Sequence, residues 1–438
     1  MSPSPNHAAR TGAAPALSAL AFFLVMASYY GIRPIRDQFS GAVGSVSLPL
    51  FYGATFVVML VLTPVFGALV ARVSRRRLIL WGYSFFIACL CAFAPAFLVQ
   101  EQLGARLLGT VFYVWVSVFN LFVVSLFWSL MADLFSSEES HRYFPMIALG
   151  GTLGALAGPT LASLLVVVFG LAPLLLVSAG LLMGAMAVLM WLSVSAGAGR
   201  EAAPAIGGSL LAGARQVFTV PFLRYMALLM LLSDGVGTVA YALLADYVKE
   251  NFHDAASRTA FYGHVDLAAN LLVITLQLGP TRWLLTRYGP VPCLVTASAV
   301  NVLLLGSLAL LGGGEVRLPW LDGTFDPVLM AVPLLALVLA CSRGFGYGMT
   351  VPAANAMYTR VSREAKYKGK NFIDTVVWRF GDVVITSALS ALRSLGMGVP
   401  LFAGVSAVCA ALAGWVGVRA GRTCGSSADA LAASETGA

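Results

Sequence analysis

Charge is what this chain has least of. Asp, Glu, Lys and Arg together make up 11% of its 438 residues, against roughly 25% in an ordinary soluble domain, so most of its surface has no means of facing water. Histidine is scarce, at four residues, and the six cysteines (Cys89, Cys91, Cys293, Cys341, Cys409 and Cys424) form no CxxC pair. No disulfide framework and no metal-ligand spacing is readable, and neither a metal nor another cofactor is expected. Gly-x-Ser-x-Gly, HExxH and P-loop motifs are all missing, which leaves no enzyme constellation and no site for ATP as a power source.

What the chain has in place of charge is apolar length. Residues of the apolar class make up 59% of it. They fall in runs of about 18 or more, each able to cross about 30 Å of hydrocarbon at about 1.5 Å per residue. Twelve spans are predicted, at 16–38, 48–71, 78–99, 107–131, 146–169, 171–195, 225–247, 261–281, 291–312, 327–350, 371–392 and 396–418. The expected fold is therefore an all-α integral membrane protein of twelve transmembrane helices in two six-helix halves, 1–195 and 225–419. The Gly-, Pro- and Ser-bearing stretch 196–224 is a cytoplasmic linker, and the Gly/Ser/Ala-rich stretch 420–438 is a disordered tail. The first apolar stretch runs into Arg-Pro-Ile-Arg-Asp with no small-residue cleavage site, which predicts a retained helix rather than a signal peptide.

The net charge of +8 has a topological cause. With both termini cytoplasmic, the inner segments hold 18 basic residues and the outer loops five, namely Arg106, Lys249, Arg258, Arg317 and Arg393. Such a bias orients helices in a membrane and removes the need for a nucleic-acid partner. Arginine outnumbers lysine 23 to 4, and a bacterial inner membrane is the expected location, with the chain a monomer.

An internal repeat supports the two halves. Gly67-Ala-Leu-Val-Ala-Arg72-Val-Ser-Arg75-Arg76-Arg77 follows span two, and Trp283-Leu-Leu-Thr-Arg287-Tyr-Gly289-Pro follows span eight. This loop resembles the Gly-x-x-x-Asp-Arg-x-Gly-Arg-Arg signature of the major facilitator superfamily, with Ala71 at the aspartate position and Ser74 at the second glycine. The resemblance implies that Arg72, Arg75, Arg76 and Arg287 belong to gating loops. Gly150, Gly154 and Gly158, four apart in span five, predict close helix packing.

Ionisable residues inside spans cost about 2.5–3.5 kcal/mol each on insertion scales and mark cavities, pairs or pathways. Span one carries Arg33, Arg36 and Asp37 on one face, beside Tyr29, Tyr30 and Pro34. Both arginines also lie near the helix end, where they can snorkel to headgroups. Span seven has Asp234, span eight His264, Asp266 and Asn270, and span ten Arg343 among glycines at 344, 346 and 348. In span eleven Arg379 and Asp382 are spaced to pair, whereas Asp374, about 140° around the helix, needs a partner elsewhere.

Three stretches go further: Ser28-Tyr-Tyr-Gly-Ile-Arg-Pro-Ile-Arg-Asp37, Phe127-Trp-Ser-Leu-Met-Ala-Asp133-Leu-Phe-Ser-Ser-Glu138 and Tyr367-Lys-Gly-Lys-Asn-Phe-Ile-Asp374-Thr-Val-Val-Trp378-Arg379-Phe-Gly-Asp382. Together they resemble the ATP:ADP (NTP/NDP) antiporters. The resemblance implies an exchanger or symporter for a phosphate-bearing or other anionic metabolite, nucleotides included, gripped by intramembrane cations.

The leading expectation is a secondary transporter working by alternating access. Arg33, Arg36, Arg343, Arg379, Tyr30 and Trp378 are the candidate substrate contacts. Asp37, Asp234, Asp266, Asp374 and Asp382 are the candidates for charge neutralisation or proton coupling, the counter-ligand being a proton or a second solute. A proton-driven exporter of apolar or cationic compounds, in which the buried acids are the sites, is a second transport reading. A membrane scaffold or lipid-handling protein with fixed ion pairs is the alternative of another class.

Overall fold

A computed structural model describes residues 5–99, 105–135, 137–195, 210–312, 314–317, 331–358 and 369–436. Among them the spans are helices. Spans one to six are Pro5–Val43, Leu48–Arg72, Arg75–Leu98, Ala105–Leu134, Ser137–Phe169 and Leu171–Ser195. Spans seven to ten are Pro221–Asn251, Ala255–Tyr288, Pro290–Leu311 and Leu334–Tyr358, followed by residues 370–394 and Val399–Thr436. Among the described residues eleven helices are long and apolar enough to cross a bilayer. Span eleven, residues 370–394, has the length but carries Lys370, Asp374, Arg379, Asp382 and Arg393. Helix is the outcome because a chain in hydrocarbon must satisfy its backbone N–H and C=O groups within each segment.

Three regions depart from the expected outline. Span ten starts at Leu334 instead of 327, because Pro333, with φ −55° and ψ 129°, forms its N-cap. The residues before it contribute to a two-stranded antiparallel ribbon, β1 Glu315–Arg317 against β2 Ala331–Pro333, the one exception to an all-helical chain among the described residues. Within the expected linker, Leu210–Thr219 is a short helix whose Val217 is buried and whose Phe218 is exposed, and span seven already begins at Pro221; residues 196–209 lie outside the described residues. Helix also continues to Thr436, across the stretch expected to be disordered, where Ala428, Ala430, Leu431, Ala432 and Ala433 are strong helix formers.

The chain divides into two compact units. Unit 1 is Met1–Ala42, Val57–Ala205 and Phe252–Leu267, and unit 2 is Val43–Phe56, Ile206–Asn251 and Ala268–Ala438. In unit 1 an aromatic core of Phe86, Phe93, Phe97, Phe112, Trp115 and Phe119 joins spans three and four, mostly edge to face. Span one is held on one side by reciprocal serine bonds to span six, Ser28 Oγ to Ser178 O at 2.9 Å and Ser178 Oγ to Ser28 O at 2.7 Å. On its other side it lies along the glycine face of span five. A Cβ at Gly150, Gly154 or Gly158 would stand 2.2, 2.3 or 2.8 Å from the carbonyl oxygen of Ala19, Phe23 or Ala27, so only glycine permits this approach.

In unit 2 three helices contain a π-turn: Gln277–Thr281 in span eight, Gly346–Thr350 in span ten and Ile373–Val377 in span eleven. A π-turn shifts the backbone ladder by one residue and frees carbonyls. Two of those in span ten are taken by span eight, Thr281 Oγ1 donating to Gly348 O at 2.8 Å and Gln277 Nε2 to Tyr347 O at 3.1 Å. Just before span eight, the backbone N–H of Ser257 donates to Asp254 Oδ1 at 2.8 Å, and hydrogen bonds from Ser257 hold that carboxyl below its usual range. The cap is present above the ordinary carboxylate range and is lost as pH falls through the depressed value.

The glycine face yields a direct test. Gly154→Val forces span one away from span five and costs about 3 kcal/mol or more by overpacking, read as a fall in the thermal unfolding midpoint of the detergent-purified protein. Gly180→Val, a control at a glycine with open space around its Cβ position, leaves the midpoint within a few degrees.

Candidate functional site

Each unit holds a cluster of ionisable residues drawn from two spans. In unit 1, span one supplies Arg33, Arg36 and Asp37, and the first part of span eight supplies Asp266. Arg36 donates to Asp37 Oδ1 from Nε at 2.8 Å and from Nη2 at 2.6 Å. Arg33 Nε lies 3.8 Å from Asp37 Oδ2 and closer, at 3.4 Å, to Asp266 Oδ2. Both carboxylates are buried, at 0% and 1% exposure, and both arginines nearly so. Two cations against two anions leave the cluster neutral, which is what burial demands. The arginines are therefore paired inside unit 1.

Aromatic rings form the other wall. The Arg33 guanidinium sits 5.4 Å from the centre of the Tyr30 ring, and that of Arg36 5.1 Å from the Tyr113 ring, both within cation–π range. Asp266 reaches Arg33 because span eight passes close to span five one turn earlier. A Cβ at Gly263 would stand 3.2 Å from Pro159 O.

In unit 2 spans seven and eleven come together at Gly381, where a Cβ would meet Leu231 at 2.4 Å. Thr238 Oγ1 donates to Asp382 Oδ1 at 2.8 Å, and Arg379 Nη1 is 3.5 Å from Asp382 Oδ2. Asp234 and Asp382 are hydrogen-bonded to each other, and Trp378 bonds to Asp234.

The remaining expected residues are placed differently. Arg343 lies over the Tyr241 ring at 5.3 Å, next to the π-turn of span ten. Asp374, which needed a partner other than Arg379, takes Lys370 one turn earlier, and Lys370 also faces the Tyr358 ring. His264 is exposed. Of the loop arginines, Arg76 and Arg287 are exposed, Arg287 lying beside Tyr288, while the side chains of Arg72 and Arg75 lie outside the described residues. Sequence reasoning missed Tyr113 and Thr238. Thr238 has a faint signal, a hydroxyl one turn after Asp234, but its acceptor is 144 residues away.

The sequence profile of the Major Facilitator Superfamily matches residues 16–383. The chain belongs to the Major Facilitator Superfamily. It is a multi-pass membrane transporter that handles small-molecule substrates, and not an enzyme. No curated protein matches it in sequence. Among solved structures it resembles the nucleoside transporter NupG, at TM-score 0.62 and 11% identity over 93% of this chain and 98% of that one. A bacterial homologue of the iron transporter ferroportin in an inward-facing state gives 0.61 and 14%, over 93% and 98%. The E. coli fucose:proton symporter FucP gives 0.55 and 16%, also over 93% and 98%. At such identities the likeness shows the fold and leaves the cargo open.

The ion pair between spans one and eight can be tested on stability. Arg33→Gln strands the buried Asp266 carboxylate and costs about 3–5 kcal/mol, whereas the double variant Arg33→Gln with Asp266→Asn recovers most of that loss. Thermal unfolding of the purified variants checks both figures.

Proposed function

We propose that this transporter is a secondary carrier of an anionic or phosphate-bearing metabolite, working by alternating access, with nucleotides inside the candidate range. The observation that carries the reading is the pairing of Arg33 with Asp266. Asp37 follows Arg36 directly in the chain and moves with it, but Asp266 arrives from another span. A solute carboxylate or phosphate is a like-for-like replacement for Asp266 at the guanidinium, and bidentate anion recognition is what arginine does best. Tyr30 and Tyr113 supply flat faces beside both cations, suited to a planar or ring-bearing solute. The resemblance of three sequence stretches to the ATP:ADP antiporters points the same way. NupG and FucP, as their names state, carry nucleosides and fucose, which supports a small polar solute as the class.

The Asp234–Asp382 pair is the coupling element in this reading. It holds a proton next to Arg379, and loss of that proton leaves a net negative cluster that favours rearrangement. The same pair supports a second reading, proton-driven export of cationic compounds, in which the acids hold the cargo. Arg343 and Asp374 are assigned supporting roles only. The arginine distribution supports a bacterial inner membrane with both termini cytoplasmic.

Two measurements decide. In a thermal-shift screen, organic phosphates, nucleotides or organic acids at about 100 times their Kd raise stability by about 2.7 kcal/mol. They do so in the wild type and not in the folded Arg33→Gln/Asp266→Asn double variant. Stabilisation by cationic drugs alone sinks the anion reading in favour of export. In proteoliposomes with a stabilising anion, Arg379→Ala abolishes flux driven by a proton gradient; retained flux removes the charged cluster of unit 2 from the mechanism.

A further inference from the structure

Towards the end that the arginine count assigns to the cytoplasm, span twelve presents a face that the described residues leave uncovered. Glycine fixes how the helix is turned. A Cβ at Gly417 would stand 3.0 Å from Leu294, and one at Gly421 would run into Val291, so this end of span twelve lies directly on the start of span nine. At about 100° per residue, Trp415, Arg419 and Arg422 point between about 100° and 160° away from Gly421, and all three are exposed.

The same face is apolar before it reaches the arginines. Val405, Val408, Leu412 and Trp415 follow at helical spacing, and each is roughly half exposed. From Val408 to Arg419 the helix rises about 16 Å, close to one leaflet, which is half of about 30 Å of hydrocarbon. The exposed tryptophans among the described residues, Trp81, Trp191, Trp283 and Trp415, all stand at span ends assigned to that inner side. Headgroup level is where an indole sits best. An acyl chain laid along the stripe therefore brings its headgroup to the arginines.

Neither arginine has its charge matched. The Arg419 guanidinium lies 5.1 Å from the Trp415 ring, which holds the cation at the rim of the apolar track without neutralising it. No carboxylate among the described residues lies within ion-pair distance of Arg419 or Arg422. The chain has no acidic residue between Asp382 and Asp429. Arg33, Arg36, Arg379 and Arg393, by contrast, each have a carboxylate partner.

We propose that Trp415, Arg419 and Arg422 form a binding site for an anionic phospholipid, with its phosphate at the two guanidiniums and one acyl chain along Leu412 and Val408. The site goes beyond the transport reading and depends on neither its cargo nor its coupling. Each arginine at headgroup level contributes about fivefold in affinity, and the two together about thirtyfold.

Native mass spectrometry of the detergent-purified chain tests this, with dioleoyl-phosphatidylglycerol and dioleoyl-phosphatidylcholine titrated separately. The wild type binds the anionic lipid about thirtyfold more tightly than the zwitterionic one, and Arg419→Gln with Arg422→Gln removes that preference. Arg419→Lys with Arg422→Lys keeps most of it, because the headgroup is held by charge. Arg142→Gln with Arg287→Gln takes the same charge from exposed arginines on other spans, and leaves the preference within about twofold. Equal binding of both lipids by the wild type overturns the proposal, as does a preference that survives in the Gln pair or falls as far in the control pair. Inorganic phosphate adducts that need Arg419 while no lipid is retained overturn it in favour of a free anion. Dimers that disappear in the Gln pair overturn it in favour of a second copy of the chain. Should the Gln pair not yield folded protein, Arg422→Gln alone, at an exposed position, reads out a loss of about fivefold.

Discussion

Inside a bilayer there is no water to accept a stray hydrogen bond, and an unsatisfied backbone group costs several kcal/mol. Nearly everything in this protein answers to that cost. It forces each span to be a helix, and it forces each buried charge to find a partner of opposite sign. It also moves the work of holding helices together from the hydrophobic effect to close packing and polar pairs. The glycine face of span five and the reciprocal Ser28 and Ser178 bonds are the two forms this takes in unit 1.

The same constraint explains why the polar clusters lie where they do. Arg33 and Asp266, or Thr238 and Asp382, come from spans far apart in sequence, so each pair can form only where two helices approach closely. Glycine at 263 and at 381 permits that approach. Paired clusters of this kind join helices where the hydrophobic effect cannot. The π-turns of unit 2 add to this, since a ladder broken at Gly346–Thr350 and repaired by Thr281 and Gln277 is a place where a helix can change its path at small cost.

Membership of a superfamily whose solved members share 11–16% identity with this chain over nearly their whole length shows how little of the fold depends on particular residues. The repeated loop after spans two and eight keeps its arginines and loses the aspartate and the second glycine, with Ala71 and Ser74 in their places. Apolar length, small residues at crossings and basic loops suffice for the architecture.

How much could be read without coordinates follows from the range of each interaction. Span positions, the positive balance and the identity of Arg33, Arg36, Asp234, Asp266, Arg379 and Asp382 as misplaced charges came from the residues alone, because hydropathy and charge are local properties. Pairing within one helix was also legible, as with Arg379 and Asp382. The pairing of Asp374 with Lys370, an i, i+4 contact within span eleven, has the same local signal and went unread. The start of span ten was misjudged because Pro333 outweighs the apolar residues before it. What only the tertiary structure decided was which spans lend a carboxylate to which arginine, and that Asp246 holds Ser45 and Arg393. Those contacts join residues 147 to 233 positions apart, and no periodicity along the chain carries that information.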